Sequence, residues 1–194
     1  MSLAHGGTFE KVATMDVVSS TAPALQPFYD GWANYQRLLL DTIGELTPEQ
    51  LGLRTASHLW AVWQIAGHMA GARTYWFHDV FGEGDPAIRD MFRVASTTVP
   101  DLPLEDAGWE DDEDRPRGPA EIAEALRRSW KMIDDCLQRW TPDDLAVEFS
   151  RQRRTGTQTV TRQWVIWHLM EHDLHHGGEI SLILGSHGLP GLNL

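Results

Sequence analysis

Four histidines, His168, His172, His175 and His176, fall within nine residues towards the C-terminal end of the chain, and Glu179 follows them. On a helix, which turns by about 100° per residue, these five side chains share one stripe about 100° wide. Trp164, Val165, Leu182 and Ile183 fall within or beside that stripe, so the spacing predicts a face turned towards a protein interior. Imidazoles make a poor apolar filling, because each buried ring nitrogen needs a partner and an unpaired one costs about 1–3 kcal/mol. A metal ion satisfies several at once. His172 and His176 stand at i and i+4, neighbours on a helix surface that can donate to one ion. This is the spacing of the helical His-x-x-x-His pair. The residues between are Asp173, Leu174 and His175, so the glutamate base of the metalloprotease version is missing and that chemistry is set aside.

A pair needs a third ligand, and His68 is the candidate. It lies in the middle of a second apolar-periodic segment, near Ile65 and Ala72, with Gly67 and Gly71 close by. Each glycine weakens a helix by about 1 kcal/mol but leaves space for close approach. His168, one turn before His172, is a candidate for a supporting layer around the ligands. Glu179 is another, as an acceptor for a ligand's other ring nitrogen, which would fix its tautomer. His175 is not assigned as a ligand. His58 reads as a cap or surface residue, His78 lies about 80° around its helix from His68, and His5 and His187 fall in loops.

Three neutral imidazoles leave an ion with an open position, the arrangement of catalytic rather than structural zinc sites. Such an ion lowers the pKa of a bound water or thiol and creates a nucleophile near neutral pH. Imidazole suits zinc, nickel and iron. Zinc and nickel are the first expectations and iron the next. Cys136 lies between Ile133 and Leu137 beside Asp134 and Asp135, a setting that raises a thiol pKa instead of activating it. Gly82-Glu83-Gly84 lacks the later Gly-Lys of a phosphate loop. Arg151, Arg153 and Arg154 read as solvated surface, with the holding of an anionic substrate or thiol cofactor as the alternative. The nine tryptophans read mainly as core, with one or two free to line a pocket. No catalytic side chain is assigned.

Helices must position these residues. Phe28, Trp32, Tyr35, Leu39, Ile43 and Leu46 recur at threes and fours, which predicts a helix from Pro23 or Pro27 to Leu46. A second, carrying His68, is expected from Ser57 as N-cap to Val80, and a third from Pro119 to Trp140. The fourth, carrying the histidine stripe, is expected from Thr161 to Leu184 with Gly185 as its C-cap. Almost nothing reads as strand. Thr47-Pro48-Glu49 and Thr141-Pro142-Asp143 share a pattern in which Thr caps, Pro takes the first helical position and an acid follows, the signature of a short helical turn. Each precedes a loop and a histidine-bearing helix. The fold class expected is therefore all-α, a four-helix bundle with a long connection between helices two and three. That connection, roughly residues 81–118, could hold a short helix from Pro86 to Phe92 and an extended stretch through Thr97, Val99 and Leu102. Asp101 to Asp114 carries eight acids and no Lys or Arg, and reads as a solvated loop.

The chain has 194 residues, one Cys and a formal net charge of -12. Its length fits one domain, expected over residues 23–194 after an N-terminal arm at 1–22. The charge argues against a nucleic-acid partner, which needs a basic face, and against an anionic membrane surface. One Cys makes no internal disulfide, and no apolar run reaches the roughly 20 residues of a membrane span. The opening residues lack the apolar stretch of a signal peptide. A cytoplasmic location is the expectation.

Two stretches resemble the DinB-like superfamily of damage-inducible helical bundles. They are Trp63-Gln64-Ile65-Ala66-Gly67-His68-Met69, and the run from Trp167 through His168, His172, His175 and His176 to Glu179-Ile180. The likeness extends over roughly Pro23 to Gly191. It implies a three-histidine divalent metal site at His68, His172 and His176, a four-helix bundle, frequent homodimers, and relatives that act as thiol-dependent S-transferases or isomerases. The family pattern continues Arg-Gly-Gln or Arg-Gly-Glu after the last ligand, whereas this chain has Gly177-Gly178-Glu179. Together these readings point to a metal-dependent enzyme of transferase, isomerase or hydrolase type, activating water or a low-molecular-weight thiol against a small-molecule substrate. The alternative is a non-catalytic bundle with a structural metal, serving stress response or dimerisation.

Overall fold

The computed structural model describes residues 25–92, 108–153 and 156–193. The arm expected at 1–22 and the stretch through Thr97, Val99 and Leu102 lie outside the described residues. Four long helices form a bundle: α1 (Gln26–Glu45), α3 (Val62–Thr74), α5 (Pro119–Leu137) and α7 (Arg162–Ser186). Short helices α2 (Pro48–Leu51), α4 (Ala87–Met91) and α6 (Pro142–Leu145) punctuate the connections. Helix α3 packs on both α5 and α7, and α1 packs on α5.

Periodicity explains the packing of α5. Ile122, Leu126, Ser129, Ile133 and Leu137 recur at threes and fours and are all buried, and burying one large aliphatic side chain is worth about 1.5–3 kcal/mol. In α7 the buried line runs through Val165, Leu169, Asp173, Gly177, Ile180 and Leu184. The histidine stripe thus borders the core and does not face it squarely. Leu182, expected beside the interior, is exposed.

Both Thr-Pro turns form as the pattern predicts. The Gln50 backbone N–H donates to Thr47 Oγ1 while Gln50 Oε1 accepts from the Thr47 N–H. Asp144 plays the same reciprocal part for Thr141, which is the capping box.

Several boundaries differ from expectation. Helix α3 begins at Val62, not near Ser57, because the preceding turn is held open: the Val62 N–H donates to the Leu53 carbonyl and Arg54 to the Leu59 carbonyl. Trp60 therefore precedes the helix. Beyond Thr74 the helix continues as a wider π turn, Tyr75–Val80. Helix α7 runs past Gly185, and Gly188, at φ +74°, takes the left-handed position while the Leu189 N–H bonds back to the Leu184 carbonyl. That conformation favours glycine.

A β-hairpin stands where no strand was expected. Strands β1 (Glu148–Arg153) and β2 (Gly156–Thr161) pair antiparallel with Phe149 opposite Val160 and Arg151 opposite Gln158. Phe149 and Val160 are its one aliphatic or aromatic cross-strand pair, so alternation of apolar residues barely registers. The signal available was the β-branched run Thr157, Thr159, Val160 and Thr161.

Candidate metal centre

His68 projects from the middle of α3, and His172 and His176 from successive turns of α7. The structure brings the three together, each offering a ligand atom within 4.8 Å of the others, a group that could hold a metal ion. His68 Nε2 lies 3.0 Å from His172 Nε2. The His172 and His176 ring centroids are 4.4 Å apart, and those of His68 and His176 are 5.0 Å apart.

Two of the rings are held from behind. His68 Nδ1 lies 2.6 Å from Glu110 Oε1, and His176 Nδ1 lies 2.7 Å from Glu179 Oε2. An ionised carboxylate only accepts, so each ring donates through Nδ1–H and keeps its Nε2 lone pair. This carboxylate–imidazole pairing is the support that metal-binding histidines use. The third ring has none: His172 Nδ1 is buried with no hydrogen-bond partner.

Burial, reinforced by His176, His68, His168 and Arg73, pushes His172 down to about 2. Burial also lowers His176, against the opposing pull of Glu179. Both rings therefore stay neutral near neutral pH, the state that binds a metal. A cluster of three imidazoles with two carboxylates on its outer nitrogens fits a divalent ion of the zinc, nickel or iron kind.

Glu110 was not legible as a site residue. It sits in the short 3₁₀ turn Trp109–Asp111, inside the acidic stretch read as a solvated loop, yet its side chain is only 15% exposed. Trp109 is buried, and its indole N–H donates to the Met91 carbonyl at 2.6 Å. It packs so closely on Gly67 that a Cβ there would meet the indole at 3.1 Å. The space expected beside His68 is thus filled by Trp109.

The other expected residues are placed as follows. Glu179 lies on His176, as above. His168 stacks on Trp164 at 4.8 Å, meets the Trp76 ring edge-on at 5.8 Å, and has Nδ1 3.2 Å from Glu171 Oε1. Its ring centroid is 6.1 Å from that of His172, with no hydrogen bond between them. His175 is exposed beside Glu179. Trp60 lies 5.0 Å from the His68 ring, on the solvent side.

Cys136 is buried, and that burial pushes its thiol up to about 12. The Arg151 guanidinium lies 4.1 Å over the Trp76 ring and donates to Gln158 Oε1. An open cleft of about 230 Å³ beside the hairpin is lined by Glu148, Gln158, Thr159, Val160, Thr161 and Trp164.

One residue beyond His172, and so about 100° further round α7, Asp173 turns fully into the core. Arg73 Nε and Nη2 donate to its carboxylate at 3.2 and 2.8 Å, and Trp32 Nε1 donates at 2.7 Å. Arg73 Nη1 reaches Gln36 Oε1 at 2.7 Å, and Gln36 Nε2 donates to the Leu126 carbonyl. This network joins all four long helices.

The model of the DinB family matches residues 19–193. The chain belongs to the DinB family. Its fold is similar to that of a DinB-like protein from Bacillus cereus, with a TM-score of 0.60 and 17% identity, over 91% of this chain and 99% of that one. It is also similar to a conserved protein from Enterococcus faecalis, with a TM-score of 0.62 and 13% identity, over 84% of this chain and 99% of that one. No curated protein matches the sequence. At Gly177, where the DinB-like pattern noted above carries Arg, a Cβ would collide with the Tyr35 hydroxyl. That hydroxyl donates to the Asp173 carbonyl, so glycine lets α1 approach α7 here.

Proposed function

We propose that this DinB family member binds one divalent ion, zinc or nickel before iron, through His68, His172 and His176, and acts as an enzyme on a small molecule. The observation that carries the reading is the pair of carboxylates on His68 and His176 Nδ1, which turns two lone pairs away from their supports while His172 stays neutral. When bound, such an ion supplies Lewis-acid activation of water or a low-molecular-weight thiol. Three protein ligands leave a position open for that reactant.

The chain's own groups hold and shape the rest. Trp60 on the solvent side of His68, and His168 packed between Trp76 and Trp164, wall the approach. Arg151, stacked on Trp76, offers positive charge to an anionic substrate or thiol. A purely structural ion is the weaker reading, because the buried Arg73–Asp173 pair already ties α3 to α7 one residue away.

A homodimer is proposed on a related ground. Trp167, Leu174 and Leu182 are exposed on one side of α7 with Gly178 among them, a helical stripe suited to pairing with a second copy. Among the described residues no helix is long and apolar enough to cross a membrane, and we place the protein in the cytoplasm.

Elemental analysis tests the reading first. We expect near one equivalent of a divalent ion per chain, lost in His172→Ala. A wild-type protein that takes up neither zinc, nickel nor iron overturns it. Chelator-sensitive transfer of a thiol to an electrophile, or chelator-sensitive hydrolysis, separates enzyme from staple.

A further inference from the structure

We infer that Glu110, delivered by the connection between α4 and α5, is a positioning residue that holds His68 in its Nδ1–H tautomer and so sets the affinity of the centre for a divalent ion. The inference rests on the metal reading above and adds to it a residue from outside the two histidine-bearing helices.

The carboxylate occupies a prepared place. Glu110 Oε1 lies 2.6 Å from His68 Nδ1, on the opposite ring nitrogen from the one that faces His172. Its backbone carbonyl accepts from Gln64 Nε2 at 2.8 Å, and Gln64 Oε1 accepts from the Ala61 N–H that opens α3. One buried glutamine therefore fixes Glu110 to the start of the helix that carries His68. On one side, Trp109 is pinned by the Met91 carbonyl, by contact with Gly67 and by the Arg117 guanidinium 4.8 Å over its ring. On the other, Asp112 is held by Arg117 at 2.7 Å. Asp111 Oδ2 closes the turn by accepting from the Gly108 N–H at 3.2 Å.

Gly108 adds an independent sign. A Cβ at that position would collide with the Glu110 carboxylate, so the absence of a side chain there clears the space the carboxylate fills. Freely solvated acids need no such clearance. A carboxylate on one ring nitrogen raises the basicity of the other and fixes its orientation, and losing such a partner costs about 10–100-fold in metal affinity. Glu110 and Glu179 together also place two negative charges against the rings that would hold a doubly positive ion, which favours a divalent charge at the centre.

The experiment compares wild type with Glu110→Gln, Glu110→Ala, Gly108→Ala and His172→Ala. Zinc is titrated against a chromophoric chelator, and histidine tautomers are read by long-range proton–nitrogen NMR on the metal-free proteins. We expect zinc binding weaker by about 10–100-fold in Glu110→Ala. Glu110→Gln, whose amide oxygen still accepts from Nδ1–H, should fall in between, and Gly108→Ala should follow Glu110→Ala in direction. The metal-free wild type should show His68 as the Nδ1–H form, lost in Glu110→Ala and kept in Glu110→Gln, with the urea midpoint of the metal-free proteins unchanged.

Unchanged zinc affinity in Glu110→Ala, or an Nε2–H tautomer of His68 in the wild type, overturns the inference. Should the wild type bind none of zinc, nickel and iron, the metal reading fails, while the tautomer comparison still decides whether Glu110 positions His68.

Discussion

Among the described residues, helices α3 and α7 are joined at two adjacent residues of α7, whose side chains leave the helix about 100° apart. Through Asp173, the joint is a fully buried ion pair with Arg73, both side chains 0% exposed, in which Trp32 and Gln36 complete the hydrogen bonding. Through His172, the joint is a cluster of imidazoles at the edge of the core, one with a buried nitrogen that has no partner. The first has the polar groups of a finished structural element. The second sets His172 Nε2 against His68 Nε2 at 3.0 Å and leaves His172 Nδ1 without a partner, so it is less completely satisfied. The contrast teaches that two joints one residue apart on α7 can differ widely in how completely their polar groups are satisfied.

The sharpest way to break the comparison is to cut each joint in turn. Asp173→Ala strands the Arg73 charge in the core, and we expect a loss of about 3–5 kcal/mol in urea unfolding of the metal-free protein. His172→Ala should leave that stability near wild type and abolish ion uptake. Equal destabilisation by the two variants would erase the distinction.

Next in size is the ion itself. Free zinc at 100 times its Kd should stabilise the wild type by about 2.7 kcal/mol, seen as a rise in Tm that is absent in His172→Ala. Zinc that raises the Tm of both equally is binding elsewhere.

A smaller effect follows from pH. His172 is held down to about 2 in the folded chain, by burial first and by its histidine neighbours next, from an ordinary value of 6.5. The folded ring is neutral, and the unfolded ring takes a proton below about 6.5, so its contribution is whole above that value and declines as pH falls towards 2. The metal-free wild type should therefore lose stability from about pH 7.5 to 5 more steeply than His172→Ala. Parallel profiles would show that His172 is not the group responsible.

The smallest expected effect is that of His168→Ala. His168 packs between Trp76 and Trp164 and makes no hydrogen bond to the cluster. Its removal should leave zinc affinity unchanged in the chelator titration. A tenfold loss, about 1.4 kcal/mol, would restore it as a supporting residue.

Much of this arrangement was legible along the chain, for identifiable reasons. The i,i+4 relation of His172 and His176 is a local property of any helix, and so are the two Thr-Pro capping boxes. His68 was legible because a lone imidazole amid Ile65 and Ala72 demands a partner. The hairpin was not, because Phe149 and Val160 alone supply its apolar pair. The Asp173 network was hidden because its members, Trp32, Gln36, Arg73 and Asp173, lie on three helices and read singly as ordinary residues.

Glu110 shows the limit most clearly. It is one of eight acids between Asp101 and Asp114, and it meets a histidine 42 residues away. No spacing rule separates it from its neighbours, since the choice depends on where Trp109 seats against Gly67.

The sequence by itself determined the helices, their turns and the three imidazoles, because those follow from periodicity, capping and the needs of ring nitrogens within a few residues of one another. Only the tertiary structure decided which faces meet. It placed the histidine stripe at the edge of the core instead of within it, because the close approach at Gly177 and the Asp173 ion pair took the centre of α7. It also chose one carboxylate out of a run of acids to stand behind His68. Contacts between distant segments depend on the packing of whole side chains, and local spacing carries no record of that packing.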